Sequence, residues 1–217
     1  LSRCDIWLVP GMDVVNQSDI PDVMRGEETQ VLGALIDAGL EDGVFVLPGT
    51  HSKWVLVADQ KIIGFRTFMT GEVYAALLEA TILGRLADGE AHDQEAFELG
   101  VRTAVAAQST SPGLGDLLHL VFSARSRVLL GGLAETGVQS YLSGLLIGAE
   151  AVSGLRGHAD AALGDAGQDP VHVLADDPLR SRYATAIKLA GREVKTAGDN
   201  AVATAHLAIA RLAGIVA

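Results

Sequence analysis

Apolar residues recur along the chain in two spacings, which predict two kinds of element. Residues 26–38 place apolar side chains three and four positions apart behind two glutamates, and this pattern predicts a helix. Before it, Ile6–Val9 predict a short buried strand that a Pro-Gly pair ends, and residues 12–22 predict a loop. The first part of the chain is therefore predicted to hold one strand and one helix.

The remainder of the chain predicts an α/β fold. Three apolar runs joined by short turns predict an antiparallel meander, and strands then alternate with helices in the last quarter, which implies parallel pairing there. Strands are predicted at 44–47, 54–58, 62–68, 171–175 and 192–196, and helices at 71–86, 93–107, 114–124, 138–155, 178–191 and 199–213. Residues 157–169 predict a loop, and Asp199 or Asn200 predicts the cap of the last helix. We expect one mixed sheet with flanking helices.

Charge and composition narrow the functional classes. The net charge of −11 argues against a nucleic-acid partner, since phosphate-backbone binding needs a basic face, but it leaves room for a small anionic substrate. No apolar run reaches the roughly 18 residues of a membrane helix, and no secretory leader is seen. The one cysteine, Cys4, cannot form an internal disulfide and has no base beside it in the sequence. These features lead us to expect a cytoplasmic protein.

The stretch "LPGTHSKW" (47–54) carries the most chemistry. Gly49 permits a tight backbone path, Thr50 and Ser52 offer hydroxyl donors, and Lys53 adds a positive charge suited to a phosphate or carboxylate. The alternative is a polar hairpin tip whose lysine is merely solvated.

Two helix starts offer further candidates. In "FMTGE" (68–72), Thr70 predicts a helix cap, and the free N–H groups that follow could bind an anion. In "MRGEETQ" (24–30), Arg25 could clamp a carboxylate and Glu27 or Glu28 could bind hydroxyls. Ordinary helix capping and favourable charges at a helix start explain both stretches equally well. Whether 68–72 meets the loop at 48–53 stays open.

The stretch "SGLLIGAE" (143–150) indicates close helix packing through its small residues, either in the core, at a lobe interface or in a homo-oligomer. Glu150 is its one polar group with a candidate role.

The sequence contains no P-loop, nucleophile elbow, zinc-protease or C-x-x-C motif, and its histidines lack metal-ligand spacing. A protein-held metal site is not expected.

Four stretches in order, "VMRGEETQ", "LPGTHSKWV", "FRTFMTGE" and "SGLLIGAE", resemble the 2-dehydro-3-deoxygalactonokinase (2-keto-3-deoxygalactonate kinase) family of the actin-like ATPase and sugar kinase superfamily. The resemblance implies a ribonuclease-H-like lobe over residues 42–217, with a helical insertion at about 90–137. Residues 1–41 are then the remnant of a first lobe with its connecting helix. It also implies phosphorylation of the C6 hydroxyl of 2-dehydro-3-deoxy-D-galactonate by ATP with Mg²⁺, in galactonate breakdown.

The resemblance also implies roles for individual residues. The catalytic candidates are Glu27, Glu28 and Lys53, without a definite assignment of the base. The sugar acid is expected to meet Arg25, Glu27, Glu28 and Glu72. Phosphate groups are expected to meet Gly49, Thr50, His51, Ser52, Lys53, Thr70 and Gly71. Phosphoryl transfer depends mainly on positioning and on charge neutralisation, for which N–H groups, hydroxyls and a lysine are suited.

Two departures from the family pattern matter. The family's opening Asp-x-Gly-[ST] phosphate loop is missing, which predicts a fragment with little or no kinase activity. Asp176 and Asp177 stand where the family has small residues, and acids are unfavourable near a polyphosphate. The alternatives are a non-catalytic sugar-acid or nucleotide-binding fragment, and a hydrolase that uses Thr50 or Ser52 with His51.

Overall fold

A five-stranded mixed sheet lies at the centre of the fold, beside a separate two-stranded hairpin. The computed structural model describes residues 6–16, 19–89, 91–110, 114–159, 169–196 and 201–216. The strands are β1 (Met12–Val15), β2 (Pro21–Met24), β3 (Gly43–Leu47), β4 (Ser52–Ala58), β5 (Lys61–Phe68), β6 (Val171–Val173) and β7 (Val194–Thr196). The helices are α1 (Glu27–Ala38), α2 (Thr70–Ala80), α3 (Gln94–Thr110), α4 (Leu114–Leu129), α5 (Val138–Ala159), α6 (Leu179–Leu189) and α7 (Ala201–Leu212).

The large sheet has the strand order β5–β4–β3–β6–β7. β3, β4 and β5 form an antiparallel meander, whereas β6 lies parallel to both β3 and β7. The predicted meander and the predicted parallel pairing in the last quarter are both confirmed. A mixed α/β fold follows from the alternation of elements along the chain.

Alternating side chains of the central strands fill two cores, one on each face of the sheet. Val44 and Val46 point to the face covered by α3, α5 and α6, while Phe45 and Leu47 point to the face covered by α1. Because both faces are covered, β3 is buried along its whole length, which explains its continuous apolar sequence. Helix α7 packs along α1 on the second face.

Small residues allow α3 and α5 to pack with almost no gap between their backbones. A Cβ atom added at Gly144 would lie 1.9 Å from the carbonyl oxygen of Phe97, and one added at Gly100 would lie 2.2 Å from that of Tyr141. The prediction of helix packing through small residues is therefore confirmed, and this packing lies inside the chain. Although α5 has 22 residues, no described helix is both long and apolar enough to cross a membrane.

Of the N-terminal predictions, the helix at 26–38 is confirmed as α1, whereas the strand and the loop were wrong. Residues 6–9 are irregular, and Ile6 and Leu8 are 82% and 87% exposed, because no strand among the described residues pairs with this short apolar run. The predicted loop instead holds β1 and β2, which pair with each other. The Asp22 carboxylate accepts bonds from the N–H group and the hydroxyl of Thr67 on β5, and so ties the hairpin to the sheet edge. Short strands without clear alternation gave no signal in the sequence.

Other boundaries shift by a few residues. The helix predicted at 71–86 ends at Ala80 and is followed by a 3-10 turn at Gly84–Leu86, while the helices predicted at 114–124 and 138–155 run longer. Cys4, the predicted cap at Asp199 or Asn200, and most of the predicted loop at 157–169 lie outside the described residues.

Candidate functional site

The polar loop before β4 and the start of α2 lie against each other. Because β5 runs antiparallel to β4, the last residues of β5 lie beside the first residues of β4, and Phe68 pairs with Ser52. The backbone N–H of Glu72 donates to the carbonyl of Thr50 at 3.1 Å. A Cβ atom at Gly71 would lie 2.6 Å from the carbonyl oxygen of Gly49. The meeting of these two stretches, left open by the sequence, is thus observed.

A cavity of about 440 Å³ opens on the other side of the loop. It brings the loop together with the start of α1, so two of the sequence-predicted stretches share one site. Its lining is Arg25, Gly26, Glu27, Gln30, Leu47, Pro48, Gly49, Thr50, His51, Lys53 and Leu174. Thr70, Gly71 and Glu72 are absent from this described lining and lie behind the loop. We call this space the loop cavity.

Lys53 supplies a buried positive charge to the loop cavity. The residue is only 5% exposed, and its Nζ lies 3.5 Å from the His51 carbonyl oxygen and 3.7 Å from Glu27 Oε1. An ammonium group removed from water needs compensating partners, and these two distances are long for strong contacts. The group is therefore equipped to receive an additional anionic partner from the cavity.

Gly49 leaves the backbone of the loop open to the cavity. A Cβ atom built there would meet nothing within 4 Å. Its φ is outside the left-handed region, unlike that of the positive-φ glycines such as Gly26 and Gly39. The tight backbone path predicted for Gly49 therefore does not involve a left-handed φ. The missing side chain leaves space in which a bound group can approach the backbone.

The two glutamates at the start of α1 point to different places. Glu27 lines the loop cavity, and its Oε2 accepts from the backbone N–H of Arg25 at 2.9 Å. The Oε2 atom of Glu28 accepts from the N–H of Gly26 at 2.7 Å, while its buried Oε1 has no partner in the structure. Glu28 lines a second, mostly apolar cavity of about 220 Å³, with Leu32 and others from α1. Sequence reasoning placed both carboxylates on the sugar acid, but only Glu27 shares a cavity with Arg25.

Two hydroxyl groups of the candidate site, those of Ser52 and Thr70, interact with the buried carboxylate of Glu150. Ser52 is fully buried and donates to Glu150 Oε1 at 2.6 Å. Thr70 does not cap α2, whose N-cap is Met69; its side chain instead interacts with Glu150 and lowers the pKa of that carboxyl. The cap prediction for Thr70 was wrong because a buried acceptor competes for its hydroxyl group.

The exposed His51 ring pairs with the Glu72 carboxylate at the surface of the loop. Ser52, the neighbouring hydroxyl, is directed to Glu150 and is closed to solvent. A serine nucleophile needs a hydrogen bond to its base, and none joins Ser52 to His51 among the bonds that the structure describes. The geometry therefore gives no support to a hydrolase based on this pair.

Glu150 is the centre of a buried polar cluster that sequence reasoning found only in part. Trp54 Nε1 donates to its Oε1 at 2.8 Å, and the Tyr183 hydroxyl donates to its Oε2 at 2.8 Å. Burial raises the pKa of the Glu150 carboxyl above its ordinary value, and bonds from Ser52, Thr70, Trp54 and Tyr183 oppose this shift. The available signal was the presence of Trp and Tyr in buried elements, since both seek a polar partner there.

One of the two unexpected acids before α6, Asp177, has a local explanation. Asp177 Oδ1 accepts from the backbone N–H of Ser181 at 3.2 Å, and Oδ2 accepts from Arg180 at 3.1 Å. The bond from the Ser181 hydroxyl is the main cause that lowers the pKa of Asp177. Asp177 therefore stabilises the start of α6, which gives an acid at this position a local structural role.

Known proteins that are similar to this chain share one description. Residues 1–209 match the model of the family described as 2-keto-3-deoxy-galactonokinase. The chain is 38% identical over 208 residues to "Probable 2-dehydro-3-deoxygalactonokinase DgoK1" of Rhizobium meliloti (strain 1021), covering 95% of the chain and 64% of the relative. It is 36% identical over 198 residues to the 2-dehydro-3-deoxygalactonokinase of Escherichia coli (strain K12), covering 91% and 62%.

A solved structure is also similar. The structure described as "Crystal structure of a putative 2-dehydro-3-deoxygalactonokinase protein from Sinorhizobium meliloti" matches with a TM-score of 0.77 and 37% identity, over 95% of this chain and 65% of that one. The chain thus spans a little under two thirds of the length of each of these three proteins.

Proposed function

We propose, from the premise that this chain belongs to the 2-keto-3-deoxy-galactonokinase family, that it takes part in phosphorylating the C6 hydroxyl of 2-dehydro-3-deoxy-D-galactonate with ATP. Two curated relatives carry the name of this kinase. The observation that carries the proposal is the loop cavity, in which the buried ammonium of Lys53 and the uncovered backbone at Gly49 line the same space.

We assign the phosphate groups to the loop side of the cavity. Lys53 supplies the positive charge, and the gap at Gly49 allows a phosphoryl oxygen to approach the backbone. Thr50 and His51 line the same wall, while Ser52, Thr70 and Gly71 support the loop from behind. Charge neutralisation and fixed donors are the main protein contributions to phosphoryl transfer.

We assign the sugar acid to the α1 side of the cavity. Arg25 is the cation that would clamp its carboxylate, and Glu27 is the carboxylate placed to accept a hydrogen bond from a substrate hydroxyl. Glu27 is also the better candidate for the proton acceptor, because Glu28 lines a different cavity. Glu72 is paired with His51 at the rim and would meet the substrate only at its edge.

The residues present fit ATP, and they fit Mg²⁺ if the nucleotide supplies most of its ligands. Among the described residues, no group of three or more His, Cys, Asp or Glu side chains is placed to hold a metal ion. Mg²⁺ commonly keeps several waters and binds substrate phosphates with few protein carboxylates. ATP supplies the phosphoryl group when bound, and Mg²⁺ neutralises its charge. Lys53, Thr50 and the backbone of Gly49 are the groups that would hold these phosphates.

We also propose the finer fold assignment of a ribonuclease-H-like, actin-like ATPase lobe over residues 42–217, with a helical insertion at about 90–137. The sheet order β5–β4–β3–β6–β7 supports this assignment, because β4 alone runs in the opposite direction to the other four strands. Residues 1–41 are then a remnant of a first lobe with its connecting helix. Helix α1 packs on the same sheet, as a connecting helix between lobes does.

The test is a coupled assay of ADP release with 2-dehydro-3-deoxy-D-galactonate, with and without Mg²⁺, on the protein expressed from its complete gene. The Escherichia coli relative serves as the positive control. Turnover that requires both the sugar acid and Mg²⁺ supports the proposal. Binding of ATP by calorimetry without any turnover would instead favour a non-catalytic nucleotide-binding protein. Folded protein with neither binding nor turnover would refute both.

A further inference from the structure

The buried carboxylate of Glu150 lies outside the described lining of the loop cavity, and the proposed reaction does not use it. The residue is 3% exposed and sits on α5, the most buried helix of the chain. Burying a carboxylate is costly, and an apolar side chain of similar volume often stabilises a fold equally well. The positions of the partners of this buried carboxylate therefore indicate what it contributes.

Its partners come from three separate elements. Ser52 and Trp54 belong to β4, Thr70 to α2 and Tyr183 to α6. Trp54 and Tyr183 are core residues. Trp54 directly follows Lys53, but its ring packs in the core together with Tyr183, which is remote in sequence from the loop. Ser52 and Thr70 are different, because each adjoins the wall that supports the loop cavity. Glu150 thus holds two residues of the wall and two residues of the core.

The connection from Glu150 to the loop is short. Ser52 is the first residue of β4 and directly precedes Lys53. Thr70 directly precedes Gly71, whose missing Cβ allows the carbonyl of Gly49 to approach within contact distance. The Ser52 hydroxyl donates to this carboxylate at 2.6 Å and the Thr70 side chain interacts with it, so the strand that carries Lys53 and the helix start behind the loop are held at a fixed separation. A shift of either one would move the loop relative to the cavity.

We propose that Glu150 is a positioning residue of the phosphate-binding loop, acting through the hydroxyls of Ser52 and Thr70. This inference rests on the proposed kinase function for its kinetic consequences, but not for its structural ones. The carboxylate touches no substrate in this arrangement. Its role is to fix the loop backbone and Lys53 before a phosphate group binds, which lowers the ordering required on binding.

The test compares donors that hold the loop with a donor that does not. On the loop side, Ser52→Ala removes a hydrogen bond to Glu150 and Thr70→Val removes the interaction of a second hydroxyl with it, whereas Tyr183→Phe removes one hydrogen bond on the core side. All three leave the carboxylate buried with one donor fewer, so all three are expected to lower Tm. Ser140→Ala, on the same helix, removes a buried bond to the N–H of Asp93 and is a control without a link to Glu150.

The first readout is hydrogen exchange of the amides at 49–53 and 71–72, which requires no substrate. We expect exchange there to accelerate about tenfold or more in Ser52→Ala and Thr70→Val, and to change by less than about twofold in Tyr183→Phe and Ser140→Ala. Equal acceleration in Tyr183→Phe, or none in the two loop-side variants, would overturn the proposal. Because no turnover is needed, this result stands even if the kinase function fails.

The second readout is kinetic and applies if the wild-type protein turns over. We expect KM for ATP to rise about tenfold in the two loop-side variants and to stay within about twofold in Tyr183→Phe at a comparable loss of Tm. Glu150→Gln keeps the shape and one acceptor oxygen, and should retain more activity than Glu150→Leu. If Glu150→Leu does not fold, the single-donor variants still decide the question. A rise in KM that follows Tm across all variants would show a structural role only.

Discussion

Replacing Lys53 by Met separates charge from packing in the loop cavity. Met keeps a long apolar stem of similar reach and removes only the ammonium, which lies 3.7 Å from Glu27 Oε1. At an effective dielectric constant of about 20, this pair attracts by about 4 to 5 kcal/mol before desolvation is counted. Desolvation of a residue that is 5% exposed offsets most of that attraction.

The net cost to stability is therefore expected to be small. The Glu27 side chain retains 27% exposure and can be rehydrated once its partner is gone, so we expect a change of about 1 kcal/mol or less in the free energy of unfolding. For a chain of this size, that corresponds to a shift of about 2–4 °C in Tm. Thermal unfolding followed by circular dichroism measures it directly.

The cost to activity is expected to be much larger. A charge-assisted hydrogen bond to a phosphate is worth about 1.5 to 3 kcal/mol in binding, and a donor that meets charge developing in the transition state is worth about 10²–10³ in rate. We therefore expect kcat/KM in Lys53→Met to fall about a hundredfold or more. Lys53→Arg is the matched control that retains the charge. A fall in activity no larger than the loss of stability accounts for, or unchanged activity, would refute the role of Lys53.

Three further predictions address the loop, the core and the buried carboxylate. Gly49→Ala and the control Gly64→Ala should each leave Tm within about 2 °C, because a Cβ atom at either position meets nothing within 4 Å. Only Gly49→Ala should weaken ATP binding in calorimetry, by about tenfold. Gly144→Ala should cost about 3 kcal/mol or more in urea unfolding, because its Cβ would lie 1.9 Å from the Phe97 carbonyl oxygen; a near-neutral result contradicts the helix contact. Burial raises the pKa of Glu150 above its ordinary value of 4.5, so the folded state holds this proton more tightly than the unfolded state does. Wild-type stability should therefore decline relative to Glu150→Gln as pH rises from about 4.5 through the raised pKa, and parallel pH profiles would contradict the shift.

Local pattern was sufficient for most elements of the fold. The central strands and long helices could be predicted from the spacing of their apolar residues, because burial on one or two faces produces a regular apolar pattern in the sequence. The hairpin β1–β2 has no such regular apolar pattern. Its stability depends on pairing within the hairpin and on Asp22 reaching the edge of β5, and neither contact is visible in a window of local sequence.

The candidate site could be predicted in its parts but not in its arrangement. Residue types identified the loop with Lys53, the helix start with Arg25 and the polar group Glu150. Adjacent residues of a helix point about 100° apart, which is why Glu27 and Glu28 line different cavities although the sequence treats them alike.

By itself, the sequence determined the α/β class, the order of helices and strands from α1 onward, the family resemblance and the polar loop at 48–53. Only the tertiary structure decided which of these groups meet. The antiparallel direction of β5 brings the start of α2 behind the loop, and the path of α5 brings Glu150 to Ser52 and Thr70. Local sequence specifies the torsions and the buried face of each segment, whereas contacts between distant segments depend on how those faces pack together.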